Sequence, residues 1–288
     1  MRDLNETLPS PSELDAFSKC PTYWYFKYVV RVNKIESAPR LISGRAVNDA
    51  LCHYHMGAEG KSPLEVYDEL VEAGKAENPS IPEDEWQAQV WMDRAALIKY
   101  LDTKPMVEPS WEAVVGVQVS FPHQPALGVP DLIYRAKAGH LGIVEWKVIS
   151  GWADVEYENL KYEMAFQPIF YTVGASELYN QAVSEVEMRY LIRPKPASGR
   201  FKEAPADYHE HRFNVELWKK EMWLHSAVFV NNAMKTLVAD PCPLIEIPKF
   251  TRACKEVMGS KTFLCEYYPA CSANMSPVEM TEMYETKS

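Results

Sequence analysis

The chain contains no run approaching the ~18 consecutive apolar residues of a membrane-spanning helix. Its opening, Met-Arg-Asp-Leu-Asn-Glu-Thr-Leu, lacks the apolar core of a secretory signal, so the expectation is a cytoplasmic protein with no membrane attachment. Cysteine is sparse: six in 288 residues are too few for a disulfide scaffold, which leaves metal ligation or plain burial in a reducing compartment. Positive charge is in deficit, 30 Lys and Arg against 40 Asp and Glu, and the net charge of -10 excludes a bulk polycation that coats nucleic acid or anionic membrane. Any phosphate-binding site must be local. There is no internal repeat, low-complexity tract or Gly/Ser linker to divide the chain. What is present is an ordinary globular composition, 47% hydrophobic and 24% charged, sufficient for a sizeable core.

Residues 1–288 read as a single domain in three parts: a mainly helical stretch over 1–110, a core over 111–205, and a helix with a cysteine-bearing strap over 206–288. Ser10-Pro11-Ser12-Glu13 has the form of a helix start, with Ser10 as N-cap, Pro11 at the first helical position and Glu13 closing a capping box. That helix should end near Cys20-Pro21, because proline disfavours helical geometry in the residue before it. The aromatic run that follows, Tyr23 to Tyr28, reads as core packing. Helical spacing covers 44–56 and 64–104, with a break near Pro79 and Pro82. Runs rich in β-branched residues then predict strands at 112–121, 127–135, 141–149 and 186–193, with a helix over 156–179 and another over 214–239. The order of elements implies an α/β core.

The informative stretch runs from Gly128 to Lys147. A hairpin turning near Ala138-Gly139 would pair residues whose numbers sum to about 276, which sets Asp131 opposite Glu145. Directly opposed side chains have β-carbons ~5 Å apart. Strand alternation then puts Glu145 and Lys147 on the face of Asp131, and Val144, Trp146 and Val148 on the other. Two opposed carboxylates repel unless a cation lies between them. Mg²⁺ is the natural partner, because it takes oxygen ligands and is commonly held by one or two carboxylates plus substrate phosphate oxygens. With a lysine nearby to position or help deprotonate a water, this is the chemistry of phosphodiester hydrolysis. A half-exposed hairpin with plain alternation gives the same pattern with no chemistry attached.

In order along the chain, these segments resemble the PD-(D/E)XK nuclease superfamily, in its RecB/AddB-type and CRISPR-associated exonuclease branch, often found in phages. Ser10 to Pro21 is similar to the family's "S-x-S-x-L-x-x-F-x-x-C-P" segment, Gly44 to Asn48 to its "G-x-x-x-H" helix, and Gly128-Val-Pro-Asp131 to its "G-x-x-D". Glu145-Trp-Lys147 resembles the "E/D-x-K", and Gln167 to Tyr171 the "Q-x-x-x-Y". The resemblance implies a restriction-endonuclease-like α/β fold, with a mixed central sheet flanked by helices, a helical N-terminal elaboration and a C-terminal iron-sulfur strap. It implies Asp131 and Glu145 as metal ligands, Lys147 as the catalytic lysine, and Gln167 and Tyr171 as residues that touch DNA or brace the centre. Asn48 stands where the family places a metal-binding histidine, and its amide oxygen is the weaker ligand. His55 lies ~10 Å further along the helix, too far to substitute, so His53 and His55 read as solvated or core residues. Pro168 leaves the facing of Gln167 and Tyr171 open, unless Gln167 sits at a helix start.

Cys20 with Cys254, Cys265 and Cys271 is similar to the branch's four-thiolate [4Fe-4S] site, which would staple the chain ends together, although zinc accepts the same sulfurs. Cys52 and Cys242 remain as ordinary thiols. Arg189, Arg193, Lys195, Arg200 and Lys202 fall in a stretch free of acids and read either as a solvated face or as a local phosphate-binding rim. Glu112 reads as a surface glutamate or a supplementary carboxylate. Together these imply a Mg²⁺- or Mn²⁺-dependent DNA exonuclease of recombination, repair or phage DNA processing, with a helicase or recombination partner. The alternative is a catalytically weak or inactive DNA-binding or assembly subunit in which Asn48 marks a weakened centre. RNA as substrate is a further option, although nothing in the sequence reads a 2′-hydroxyl.

Overall fold

The computed structural model describes residues 9–30, 32–33, 38–119, 128–163, 165–196, 204–239, 255–258, 261–264 and 285–286. In chain order, α1 (Pro11–Lys19), α2 (Pro21–Trp24) and a π-helical turn (Tyr25–Val30) come first, then β1 (Val32–Asn33). Next come α3 (Ala38–Met56), α4 (Pro63–Glu77), α5 (Glu83–Thr103), β2 (Trp111–Val117), β3 (Leu132–Ala136) and β4 (Leu141–Ile149). They are followed by α6 (Val155–Glu163), α7 (Phe166–Tyr179), β5 (Val183–Ile192), β6 (Asp207–Asn214), α8 (Leu217–Ala239), β7 (Lys255–Met258), β8 (Lys261–Leu264) and β9 (Glu285–Thr286).

The chain divides into two compact units, one of residues 37–121 and 128–217, the other of 1–36, 122–127 and 218–288. In the latter, α1 begins as its sequence predicts: Ser10 Oγ accepts from Glu13 N at 3.2 Å and Glu13 Oε2 accepts from Ser10 N at 3.3 Å. The other Glu13 oxygen accepts from Trp24 Nε1 at 3.4 Å, which lets this carboxylate be buried. Trp24 and Phe26 are buried, whereas Tyr23, Tyr25 and Tyr28 are half-buried, so only part of the aromatic run is core. Cys20 is buried at the end of α1. Cys242, Cys254, Cys265, Cys271, Arg200 and Lys202 lie outside the described residues.

The larger unit holds a five-stranded sheet in the order β2-β3-β4-β5-β6, antiparallel throughout except for the parallel pair β4 and β5. Leu132 pairs with Val144 and Ile133 with Ile143, the register the hairpin arithmetic predicts, and Gly139 supplies the positive φ of 90° at the turn. One face of the sheet packs Val144, Trp146 and Leu191 against Ala46, Val47, Leu51, Tyr67, Leu97 and Tyr100 of α3, α4 and α5. The opposite face packs Ile133, Ile143 and Val183 against Tyr171 and Ala175 of α7. No helix of the described residues is long and apolar enough to cross a membrane.

The break expected near Pro79 and Pro82 separates α4, capped by Ser62 with Pro63 in its first turn, from α5, which opens with Glu83, Asp84 and Glu85 against the positive end of its dipole. Two expectations shift. The helix over 156–179 is broken between α6 and α7, where Ala165 is extended. An additional strand, β6, pairs antiparallel with residues 185–192 of β5.

Candidate active site

Asp131 immediately precedes β3 and Glu145 sits opposite it in the centre of β4, so the two carboxylates meet as the register requires. Each is fixed by the other strand's main chain: Asp131 N donates to Glu145 Oε1 at 2.9 Å, and Trp146 N donates to Asp131 Oδ2 at 2.9 Å. Lys147 Nζ lies 3.5 Å from Glu145 Oε2. From α7, Gln167 Nε2 donates to Glu145 Oε2 at 2.8 Å and to Tyr171 OH at 3.1 Å. Gln167 stands in the first turn of α7, where Pro168 removes no bond that the helix would otherwise make, so the i,i+4 pairing with Tyr171 survives. The structure thus brings Asp131, Glu145, Lys147, Gln167 and Tyr171 together.

Glu145 is 2% exposed. Burial, and then the charge of Asp131, push its carboxyl up to about 8, against the lesser pull of Lys147 and its hydrogen bonds. Burial likewise raises Asp131, opposed by Lys147 and the Trp146 N–H, with Asp49 adding to the rise. Burial by itself would lower Lys147, but Tyr162, Glu145 and Asp131 outweigh it and hold the ammonium above its ordinary value. A lysine held charged in this way can orient an anion beside the two carboxylates.

Two neighbours escaped the sequence reading. Asp49, next to Asn48 on α3, bears on Asp131 electrostatically and accepts from Gln118 Nε2 at 2.8 Å. One turn on from Asn48, Cys52 Sγ donates to the Asp131 carbonyl at 3.6 Å, which shows that this stretch of α3 lies beside Asp131. Tyr162 of α6 places its ring 5.6 Å beneath Lys147 Nζ. The position next to a carried-over ligand was a usable signal for Asp49; nothing in the sequence singles out Tyr162.

Behind the site, Trp146 is held by a buried polar network. His55 Nδ1 lies 2.6 Å from Met106 O and must donate to it. Burial lowers its imidazole to about 3, so the ring is neutral and Nε2 accepts from Tyr100 OH at 2.8 Å. The same hydroxyl oxygen accepts from Trp146 Nε1 at 3.2 Å and from Arg189 Nη1 at 2.5 Å. His55 is therefore a core histidine, 2% exposed, stacked on Trp146 with ring centroids 5.5 Å apart. His53 bonds Lys61 O.

The basic rim is corrected in part. Arg189 is fully buried, its guanidinium bonded to Glu187 at 2.5 Å and Glu108 at 2.9 Å. Arg193 is buried as well and paired with Asp93 of α5. Arg189 within β5 and Arg193 just past its end both turn inward onto acids, because a buried charge must be compensated where it lies. They form no phosphate-binding surface, and of the described members of that stretch only Lys195 stays half-buried at the end of β5. Glu112 is exposed on β2.

A mixed sheet flanked by helices, with paired carboxylates and a lysine on its central hairpin, is consistent with a restriction-endonuclease-like fold. A sequence profile of the PD-(D/E)XK nuclease superfamily matches residues 9–271, and the chain belongs to that superfamily. No curated protein matches it. Among solved structures it is similar to a "Putative exonuclease" from Eubacterium rectale, at 14% identity over 94% of this chain and 90% of that one, with a TM-score of 0.48.

The superfamily usually uses Mg²⁺ or Mn²⁺. The residues present fit such an ion: the donors are carboxylate oxygens, hard ligands suited to it, and both carboxyls are held above their ordinary range, the mark of a pair that wants a proton or a cation. No group of three or more His, Cys, Asp or Glu converges as a metal site among the described residues. Two carboxylates suffice for Mg²⁺, which keeps waters and takes substrate oxygens in its remaining positions.

Proposed function

We propose that the chain is a metal-dependent DNA exonuclease in which Asp131 and Glu145 hold Mg²⁺ or Mn²⁺ and Lys147 is catalytic. The observation that carries this reading is the reciprocal locking of Asp131 and Glu145 by each other's main chain, with Lys147 3.5 Å from Glu145. When bound, the ion lowers the pKa of a water and offsets charge on the attacked phosphate. Lys147, charged and half-buried, orients the phosphate or the attacking hydroxide. Gln167 fixes the Glu145 carboxylate from the helix side, and Tyr171 braces Gln167. The family match extends over both compact units, which supports one nuclease domain over the whole chain.

The finer parts of the reading rest on the sequence resemblance: the RecB/AddB-type branch, a [4Fe-4S] cluster on Cys20, Cys254, Cys265 and Cys271, and a role in recombination, repair or phage DNA processing beside a helicase. Lys195, Arg200 and Lys202 remain the proposed DNA contacts. The test is cleavage of end-labelled linear and closed circular DNA by anaerobically purified protein with Mg²⁺ or Mn²⁺. Loss of label from linear DNA alone, abolished in Asp131→Asn, Glu145→Gln and Lys147→Ala with the fold intact, is the expected result. Retained activity in any two variants would sink the assignment.

Asn48 favours a second reading, a DNA-binding or assembly subunit with a weakened centre. Tight divalent-ion binding with no cleavage of any DNA would favour it, and Asn48→His would then be the variant to examine for recovered turnover.

A further inference from the structure

Past the catalytic lysine, β4 runs into a turn that holds a tryptophan outward. Trp152 N donates to Ser150 Oγ at 3.2 Å and Ala153 N donates to Ser150 O at 2.9 Å, closing the turn. Asp154 then caps α6 by accepting from the Glu156 and Tyr157 amides at 3.0 and 3.2 Å. Gly151 packs so tightly on the end of β5 that an added β-carbon would stand 2.5 Å from Arg193 O and 3.1 Å from Lys195 Cβ. Lys195 is itself pinned, its N and O exchanging hydrogen bonds of 2.8 and 2.9 Å with Ala204. The outcome is Lys195 Nζ 3.7 Å from the centre of the Trp152 ring, with Trp152 still 43% exposed.

We propose that Trp152 and Lys195 form a nucleotide-binding platform, with a nucleobase of an unpaired strand stacking on the indole and its phosphate drawn to the ammonium. The proposal deepens the nuclease reading and rests on it. An exposed indole exposes apolar surface to water, and here the turn, the close glycine approach and the Lys195–Ala204 bridge all hold it in that position. Aromatic surface beside a fixed cation suits a ligand with both a flat π-face and an anionic group, which a nucleotide has and an apolar protein surface lacks. The location agrees. Both residues lie at the carboxyl ends of the parallel strands β4 and β5, where open α/β sheets place ligands. Trp152 lies five positions beyond Lys147, at most about 18 Å away, so a strand a few nucleotides long can engage both.

The test uses the full chain in EDTA, which prevents cleavage, and measures by fluorescence anisotropy the binding of a short oligothymidylate and of a blunt duplex. Trp152→Ala and Trp152→Leu should each weaken oligothymidylate binding about tenfold, with a smaller change on the duplex, and Trp152→Phe should keep most of the affinity. Trp152→Leu keeps apolar bulk without an extended π-face, so it stands in if the alanine variant does not fold. Lys195→Ala should reduce the salt dependence of oligothymidylate binding by about 0.7 in log-log slope. Unchanged oligothymidylate affinity in the alanine and leucine variants overturns the platform, and so does an equal loss on the blunt duplex. Weakening by alanine but not by leucine assigns Trp152 to an apolar partner surface, and overturns it too. Failure of the nuclease reading looks different: wild-type protein with Mg²⁺ or Mn²⁺ would then leave every DNA intact, as would Lys147→Ala.

Discussion

Tyr100→Phe removes one oxygen from the interior, and with it the hub of the network behind β4. In the wild type that oxygen donates to His55 Nε2 and accepts from Trp146 Nε1 and Arg189 Nη1. The variant leaves His55 without a donor and the indole N–H without an acceptor, each costing ~1–3 kcal/mol when buried, and it weakens the solvation of a buried guanidinium. Arg189 keeps Glu187 and Glu108, and the phenyl ring preserves the apolar contacts, so the expected loss is about 3 kcal/mol. With an m-value of about 3 kcal/mol/M in urea, the midpoint followed by far-UV circular dichroism should fall by about 1 M. Cleavage should fall too at temperatures where the variant is folded, because Trp146 is the residue between Glu145 and Lys147. A shift below about 0.3 M would refute the view that this network is fully engaged.

Glu145 has an ordinary carboxyl value of 4.5 that folding raises to about 8, so the metal-free protein binds more protons folded than unfolded between those values. Its stability should decline as pH rises through that window, and added Mg²⁺ should reverse the decline most strongly at the alkaline end; a melting temperature indifferent to pH and Mg²⁺ would contradict this. Arg193→Ala strands the buried Asp93 and should cost about 3 kcal/mol in chemical denaturation with little change in DNA affinity, the opposite of what a rim arginine would do. Gln167→Leu frees Glu145 Oε2 from its helix-side anchor, and turnover should fall by more than tenfold while the urea midpoint shifts by only about 0.3 M.

The parts of this molecule visible in its sequence are those governed by short-range rules. The capping box at Ser10 is chemistry among four residues, and the pairing of Asp131 with Glu145 follows from one turn and a period of two. Arg189 and Arg193 turn onto acids far off in the chain, Glu108 and Asp93 at 81 and 100 positions, and the one nearby acid, Glu187, two positions before Arg189, sits at the edge of the acid-free stretch. A count of local charge cannot register acids brought in by α5 and the loop after it. Asp49 escaped for a related reason: its role depends on how α3 lies beside the end of β3, and helical periodicity in α3 does not specify that.

The strand β6 was hidden by its own composition, Asp-Tyr-His-Glu-His-Arg-Phe-Asn, in which charged and imidazole side chains outnumber apolar ones. It is the last strand of the sheet among the described residues, and a last strand is the one able to recruit another chain. Glu210 and Arg212 draw Lys104 and Glu187 into ion pairs across its surface, so the strand bonds β5 while offering an approaching backbone a row of hydrated charge. Rewriting β6 with Val and Ile would make it easy to recognise in the sequence and would also turn the sheet's margin into a template for aggregation.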